Sequence, residues 1–566
     1  MHINTYTSAH MNHIKISDKS INTIIPDGTT HVTFGRFFNK PVNNLPDSII
    51  SVTFGKYYNS PVILPPYIQY VKFGAMYNQV TLLGSYKHLV HLVFGSRFNR
   101  HVELPPYVVH LDMGGHFDHT MGELPRSITH LTMSTRFNQL IILPPHITYL
   151  KMGNAFNQPI TLPPYIEHFT MGKAFNQPII LPPYIKHFTM GHRFNQPIAL
   201  SPYVTHLKMG MMFNQPVILT CITHLTLGYY FNQPMSLPPS LTHLHVGGSY
   251  NIPLILPQNI IYLKFVRLSL YNHPINLPQS LKVLMLGDRF NHPTILPHGL
   301  VEFRTGQRKI DFFPPSIRKL FFGDQYNHPA ILPPGLIYFS GGLMYNQPTV
   351  YPQSLKYLRM SWLYNQRDHM PDGLSVLFMS SDYNQEGELP KTLERLIIGA
   401  NYNQNAHPLP TNLKRLEICY GNQSQHRIDH LVNLKFLGIY NNVQQTSFPP
   451  HITHLKFGCD YNHPIVLDDM HSIEYIQLPG NYDQVFSIPH TVTNFKCGRL
   501  YKHRTMLPQT IQRYDHRYHL YNIFFIKDHP LLNDGYVGKS KTHKKLIDIH
   551  IRNYKYQTMS LLQYLL

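Results

Sequence analysis

From Phe38 to Tyr501 the apolar positions repeat as one short pattern, written about 25 times. A clear copy from Leu162 to Ile180 reads LPPYIEHFTMGKAFNQPII, and the next begins at once at Leu181. Ile166, Phe169 and Met171 stand at the spacing L-x-x-L-x-L. The period-two alternation between Phe169 and Met171 predicts a short strand with both side chains inward. Gly172 predicts a sharp turn, after which Phe175 points back into the core and Asn176 sits in the turn. Pro178, Pro182 and Pro183 exclude helix from the return segment, which is expected to be extended or polyproline-like.

The phase is carried by the aromatic that in most units precedes Asn, from Phe38 through Phe156, Phe175 and Phe194 to Tyr440, Tyr461, Tyr482 and Tyr501. The mean step is about 19 residues, and the phase survives degenerate units near Lys309 and Gly421. The fold expected is mainly β: a single solenoid of about 25 coils, with a parallel sheet on one face and return segments on the other. Residues 24–511 form the solenoid, 1–23 a polar segment or cap, and 512–566 a C-terminal cap or tail. The apolar runs Ile523–Ile526 and Leu546–Ile549 favour a cap, because a solenoid must cover its last exposed core.

Three ladders follow from the repeat. The first is a core spine of rings at Phe156, Phe175, Phe194 and their counterparts, packed offset or edge-on. The second is a structural ladder of buried amides, Asn157, Asn176, Asn195, Asn214 and Asn232, able to satisfy backbone groups of their own coil and the next. Asp118 and Asp483 replace Asn in two units and keep only the acceptor side. The third is apolar, made of strand residues and the Leu of the L-P step.

The string F-N-x-P-[IV], as in Phe156-Asn157-Gln158-Pro159-Ile160 and Phe213-Asn214-Gln215-Pro216-Val217, resembles the FNIP repeat, grouped with leucine-rich repeats. The resemblance runs from Phe38 to Tyr501. It implies a leucine-rich-repeat-like solenoid, an origin in amoebae or the large DNA viruses that infect them, and a surface that binds other proteins. Family members often carry an N-terminal F-box, which implies a ubiquitin-ligase substrate adaptor. Here Met1 to Asn22 is too short for that helical module, so the adaptor alternative is one that lacks a recognisable F-box.

Composition adds little and excludes much. Charged residues are 14% of the chain, below the usual quarter, so Asn, Gln, His, Thr and Tyr must supply surface polarity. A net charge of +19 favours an acidic protein surface, an anionic membrane or nucleic acid as partner. Spread over the coils it is also simply solubilising, and Lys539, Lys541, Lys544 and Lys545 concentrate part of it in the tail. The four cysteines form no C-x-x-C pair and no metal spacing. No apolar leader and no run of 18 apolar residues occur, so an intracellular, cytoplasmic location is expected.

Many of the 38 histidines recur at fixed repeat positions. The strand position before the inward Leu or Phe should face outward. It holds His110, His130, His168, His187, His206, His224 and His243, with Tyr149, Tyr262 and others in between. Two positions on, Thr132, Lys151, Thr170, Thr189, Lys208 and Thr226 share that face. Such a donor-rich, moderately basic face suits protein recognition, although a stacked ladder can also serve only to keep the sheet soluble. One file of parallel side chains does not converge on a metal. No cofactor site, nucleophile elbow, phosphate loop or paired-acid constellation is present, so no catalytic residue is assigned. The function expected is a non-catalytic scaffold for an unknown protein partner, with a nucleic-acid or anionic-surface binder as the alternative.

Overall fold

The computed structural model describes residues 6–8, 11–16 and 25–497, except 405–407, 420, 423, 425, 446, 460, 468 and 469, together with 505–508, 510, 511, 513–516 and 523–525. Of the segment expected to cap the end, 512–566, only the strands Arg513–His516 and Ile523–Phe525 fall among these; the rest, with Leu546–Ile549 and the basic cluster, lies outside the described residues. In the first 23 residues the strand Tyr6–Ser8 pairs antiparallel with Met11–Ile16, which pairs parallel with His31–Phe34.

Strands are the only regular elements among the described residues, three to six residues long and, within the repeat, one per coil. His168–Thr170 lies between Tyr149–Lys151 and His187–Thr189, parallel and in register, so His168 sits over His187 and Phe169 over Phe188. The chain divides into two compact units, Met1–Leu355 and Lys356–Leu566, each built from such coils. Together they hold about 25 coils of about 19 residues, the parallel solenoid that the repeat predicts.

In the first unit the short strand is enough because its flanks also bond between coils. The amides of Glu167 and His168 both donate to the Thr148 carbonyl, at 2.8 and 3.1 Å, and Met171 donates to Thr189 at 2.9 Å. Ile166, Phe169, Met171 and Phe175 are buried, as the alternation requires. Each such side chain contributes about 1.5–3 kcal/mol by leaving water. The spine rings stack nearly parallel rather than edge-on: Phe156 and Phe175 lie 6.1 Å apart at 7°, Phe175 and Phe194 6.2 Å apart at 11°. Leu162 and Leu181 are only half-buried; the prolines that follow them, Pro163 and Pro182, are buried and complete the floor of each coil.

Gly172 departs from expectation. It has no left-handed backbone; among the described glycines only Gly28, Gly114, Gly342, Gly387 and Gly421 have positive φ. A Cβ on Gly172 would instead lie 1.9 Å from the Gly153 carbonyl oxygen, and one on Gly153 the same distance from that of Ser134. The residue is glycine because two coils touch there, not because the chain turns.

The degenerate unit near Lys309 is a short coil without a spine ring. Charge bridges it. Asp288, buried, accepts from Arg304 Nη2 at 2.6 Å and Arg267 Nε at 3.2 Å, while Arg304 and Arg267 both also reach Asp324. The Asp324 amide donates to Asp288 Oδ1 at 3.3 Å across 36 residues, two coils away. Both the buried Asp288 and the half-buried Asp324 thus have cationic partners.

In the second unit the phase assignment at Tyr440 needs correction. Tyr440 is half-exposed, with its hydroxyl 3.3 Å from Glu417, and Asn441 is fully buried where the ring should be. The ladder position passes to Asn442, whose Oδ1 accepts from the Asn462 amide at 3.4 Å. The linker from strand Phe436–Ile439 is too short to bring Tyr440 round to the core. One coil earlier Asn422 takes the ring's place and donates to the carbonyls of Gly399 and Tyr402, both at 2.8 Å. His426 stacks on Tyr402 at 6.0 Å, and burial pushes its pKa down to about 4.

The Gly172→Ala variant is expected to lose about 1–3 kcal/mol, because the methyl group forces the two coils apart. Thermal or urea unfolding of that variant matching the parent would show that the close approach is dispensable.

Candidate functional site

The outward strand positions form a column of rings. His168, His187, His206, His224 and His243 stack with centroids 4.4, 4.3, 4.2 and 4.2 Å apart. His110 and His130 stand 4.2 Å apart further up, and Tyr149 lies between His130 and His168 at 5.7 and 6.2 Å. Tyr262 follows His243 at 5.7 Å. An in-register parallel sheet places each outward side chain one strand spacing, about 4.8 Å, above its counterpart. Planar rings at that spacing stack face to face. His168 is exposed and the other four are half-buried.

Neighbouring threonines set the tautomer of several rings. Thr205, Thr223 and Thr242 each donate to a carbonyl of the preceding coil, at 3.3, 3.1 and 3.1 Å. The same oxygens lie 3.0, 3.0 and 2.9 Å from Nδ1 of His206, His224 and His243. A hydroxyl has one proton to give, so the imidazole Nδ1–H must be the donor in the second contact. Nε2 is then the unprotonated nitrogen, and the column carries a row of hydrogen-bond acceptors. His187, His206 and His243 sit below the usual imidazole range, first through burial and then through repulsion from neighbouring imidazoles. Two residues along, Lys151, Lys208 and Lys264 are exposed on the same face.

The amide ladder runs along the turn. Asn157 Oδ1 accepts from the Asn176 amide at 2.8 Å, Asn176 from Asn195 at 2.9 Å, Asn195 from Asn214 at 2.8 Å, and Asn214 from Asn232 at 2.8 Å. These side chains are half-buried, and Asn232 is exposed, so the expectation of buried amides is corrected. They serve the next coil through one acceptor, which explains how Asp118 can stand in: its Oδ1 takes the Asn138 amide at 2.9 Å.

Sequence reasoning missed the partner ladder. Gln177 Nε2 donates to the Asn157 carbonyl at 3.2 Å and Gln196 to that of Asn176 at 3.3 Å. His273, His292 and His463 replace Gln and reach the corresponding carbonyls through Nε2 at 2.9, 3.0 and 2.9 Å. A carbonyl only accepts, so these turn histidines are Nε2–H, the opposite tautomer to the strand column. The interchange of N-Q with N-H-P along the chain was the available signal.

Among the described residues no three His, Cys, Asp or Glu side chains form a group that could hold a metal. No helix among them is long and apolar enough to cross a membrane.

The family model described as FNIP Repeat matches residues 19–57, 120–155, 156–193 and 231–266. The chain carries FNIP repeats. No curated protein matches it. Among solved structures it is similar to CroV588, a circular leucine-rich-repeat protein, at 29% identity and a TM-score of 0.54, covering 89% of this chain and 85% of that one. A match to YopM from Yersinia enterocolitica has 16% identity and a TM-score of 0.31, covering 89% of this chain and 91% of YopM. The FNIP coils are thus a leucine-rich-repeat-like solenoid, a fold typical of interaction scaffolds.

Two outcomes follow from this geometry. The Asn176→Leu variant strands the Asn195 amide and is expected to cost about 0.5–1.5 kcal/mol in chemical unfolding, whereas Asn176→Asp keeps the acceptor and most of the stability. Equal losses for the two would refute the acceptor ladder. In NMR pH titration His187, His206 and His243 are expected to titrate below about 6.5, with the Nδ1–H tautomer at neutral pH for His206 and His243. The unfolded chain then binds protons more readily than the folded one, so these histidines make stability fall as pH drops below about 6.5. A Tm that rises on acidification through that window would contradict the assignment.

Proposed function

We propose that the protein is a non-catalytic scaffold that binds another protein across the strand face of its first unit. The ring column from Tyr149 to Tyr262 is the observation that carries this reading. Seven coils present aromatic edges, imidazole acceptors, threonine hydroxyls and the ammonium groups of Lys151, Lys208 and Lys264 on one sheet. Aromatic groups with polar tips and few rotamers lose little entropy on being covered, which favours their use in recognition.

A second reading rests on those lysines and the net charge of +19: the same face would bind nucleic acid or another polyanion. The two separate by salt. Fluorescence anisotropy with random-sequence oligonucleotides should give weak binding at physiological salt if the partner is a protein, and affinity falling steeply with salt concentration if it is a polyanion.

The direct test replaces His187, His206 and His224 together with Ser. Substitutions at such partly exposed positions each change stability by about 0.5 kcal/mol or less, so the fold should survive. Affinity capture from a cell extract at roughly pH 7.5, and again at roughly pH 5.5, compares the variant with the parent. Loss of the same retained proteins from the variant is the expected result. Undiminished retention by a folded variant at both pH values moves the binding surface elsewhere.

A further inference from the structure

The return face of the first unit carries a pattern that its fold does not need. The residue before the Leu that closes the return segment points to solvent in every coil from Ile142 to Ile295. It reads Ile142, Thr161, Ile180, Ala199, Ile218, Ser236, Ile255, Asn276, Ile295. Isoleucine alternates with a smaller or polar residue without exception. The five isoleucines are 83%, 90%, 83%, 90% and 90% exposed. Core packing cannot explain side chains this bare, and exposed apolar groups in a regular array mark a contact surface.

Coils stack about 4.8 Å apart, so the isoleucines recur about every 10 Å with a gap one residue wide between them. The face is self-complementary: a second copy displaced by one coil places its isoleucines in these gaps. An antiparallel, two-fold arrangement pairs the face with itself. No charged residue occurs in the return segments 140–143, 159–162, 178–181, 197–200, 216–219, 234–237, 253–256, 274–277 and 293–296. Two copies can therefore meet there despite their net charge. Exposed Glu103 and Glu123, with Arg100 beside Glu103, flank the ridge at one end; exposed Arg308 and Lys309, with Asp311 3.5 Å from Lys309, flank it at the other.

We propose that this face is a two-fold interface with a second copy of the chain. The axis passes between the coils of Ala199 and Ile218. Ile218 then lies over Ala199 of the second copy, Ile180 over its Ser236, Ile142 over its Asn276 and Ile255 over its Thr161, while Ile295 meets the rim coil of Glu123. Glu103 comes opposite the coil of Arg308 and Lys309. Such an isologous contact uses one patch twice, as a two-fold dimer must. Nine coils with the proline or leucine and the variable residue exposed in each present about 18 residues a side, close to the 20–30 of a standard interface.

Sedimentation equilibrium of the full chain over a range of micromolar concentrations tests the proposal. The parent should dimerise. Replacing Ile180, Ile218 and Ile255 together with Lys should leave a folded monomer throughout. The decisive variant fills the gaps: Ala199→Ile with Ser236→Ile adds apolar surface yet removes the sockets, and should raise the dimer Kd at least about tenfold. Tighter association of the gap-filled variant would overturn interdigitation in favour of general stickiness. A parent that stays monomeric overturns the interface, and capture of that monomer by phosphatidylcholine vesicles would assign the ridge to a lipid surface instead.

Discussion

Each coil must lie directly over the one before it at a single strand spacing, and nearly every other feature is a consequence of that fit. The register His168 over His187 and Phe169 over Phe188 puts like residue over like. Where the backbones come closest, at Gly172 over the Gly153 carbonyl, there is no room for a Cβ. Where the turn leaves an amide without a strand partner, the Asn of the neighbouring coil supplies the acceptor. Rings that follow the same spacing become a spine inside and an imidazole column outside.

Where a coil is shorter or loses its ring, the fit is restored by polar chemistry. Asp288, Arg267, Arg304 and Asp324 bind the turns on either side of the short coil near Lys309. In the second unit Asn422 fills a ring position by donating to two carbonyls. Asn441 does the same job without a hydrogen-bond partner for its side chain among the described residues, and His426 sits uncharged against Tyr402. Buried groups of this kind contribute less than rings, so these coils are expected to be the less stable part of the array.

The two families of histidine show how one residue type serves two ends. In the turn, Nε2–H is committed to a carbonyl and holds coils together. On the strand, Nδ1–H of His206, His224 and His243 is committed to threonine. A scaffold of this sort fixes spacing and chemistry but names no partner, because identical coils support many targets.

Much of this was legible in the sequence. The period, the inward Phe169 and Met171, the spine at Phe175 and the parallel sheet all follow from alternation and repeat length, which are local properties of the chain. The outward strand position of His187 was equally readable, since side-chain direction in a strand has period two. What the tertiary structure alone decided concerns distances between coils. Gly172 reads as a turn residue until its neighbour's carbonyl is seen, and the Asn ladder reads as buried until its one acceptor bond and half-exposed amide are seen. Tyr440 matches the motif yet misses the core, because the short link after Ile439 leaves it on the rim. A repeat specifies which residues will be neighbours; how deep each one lies and which atom meets which depend on the approach of one coil to the next, and that exists only in the folded stack.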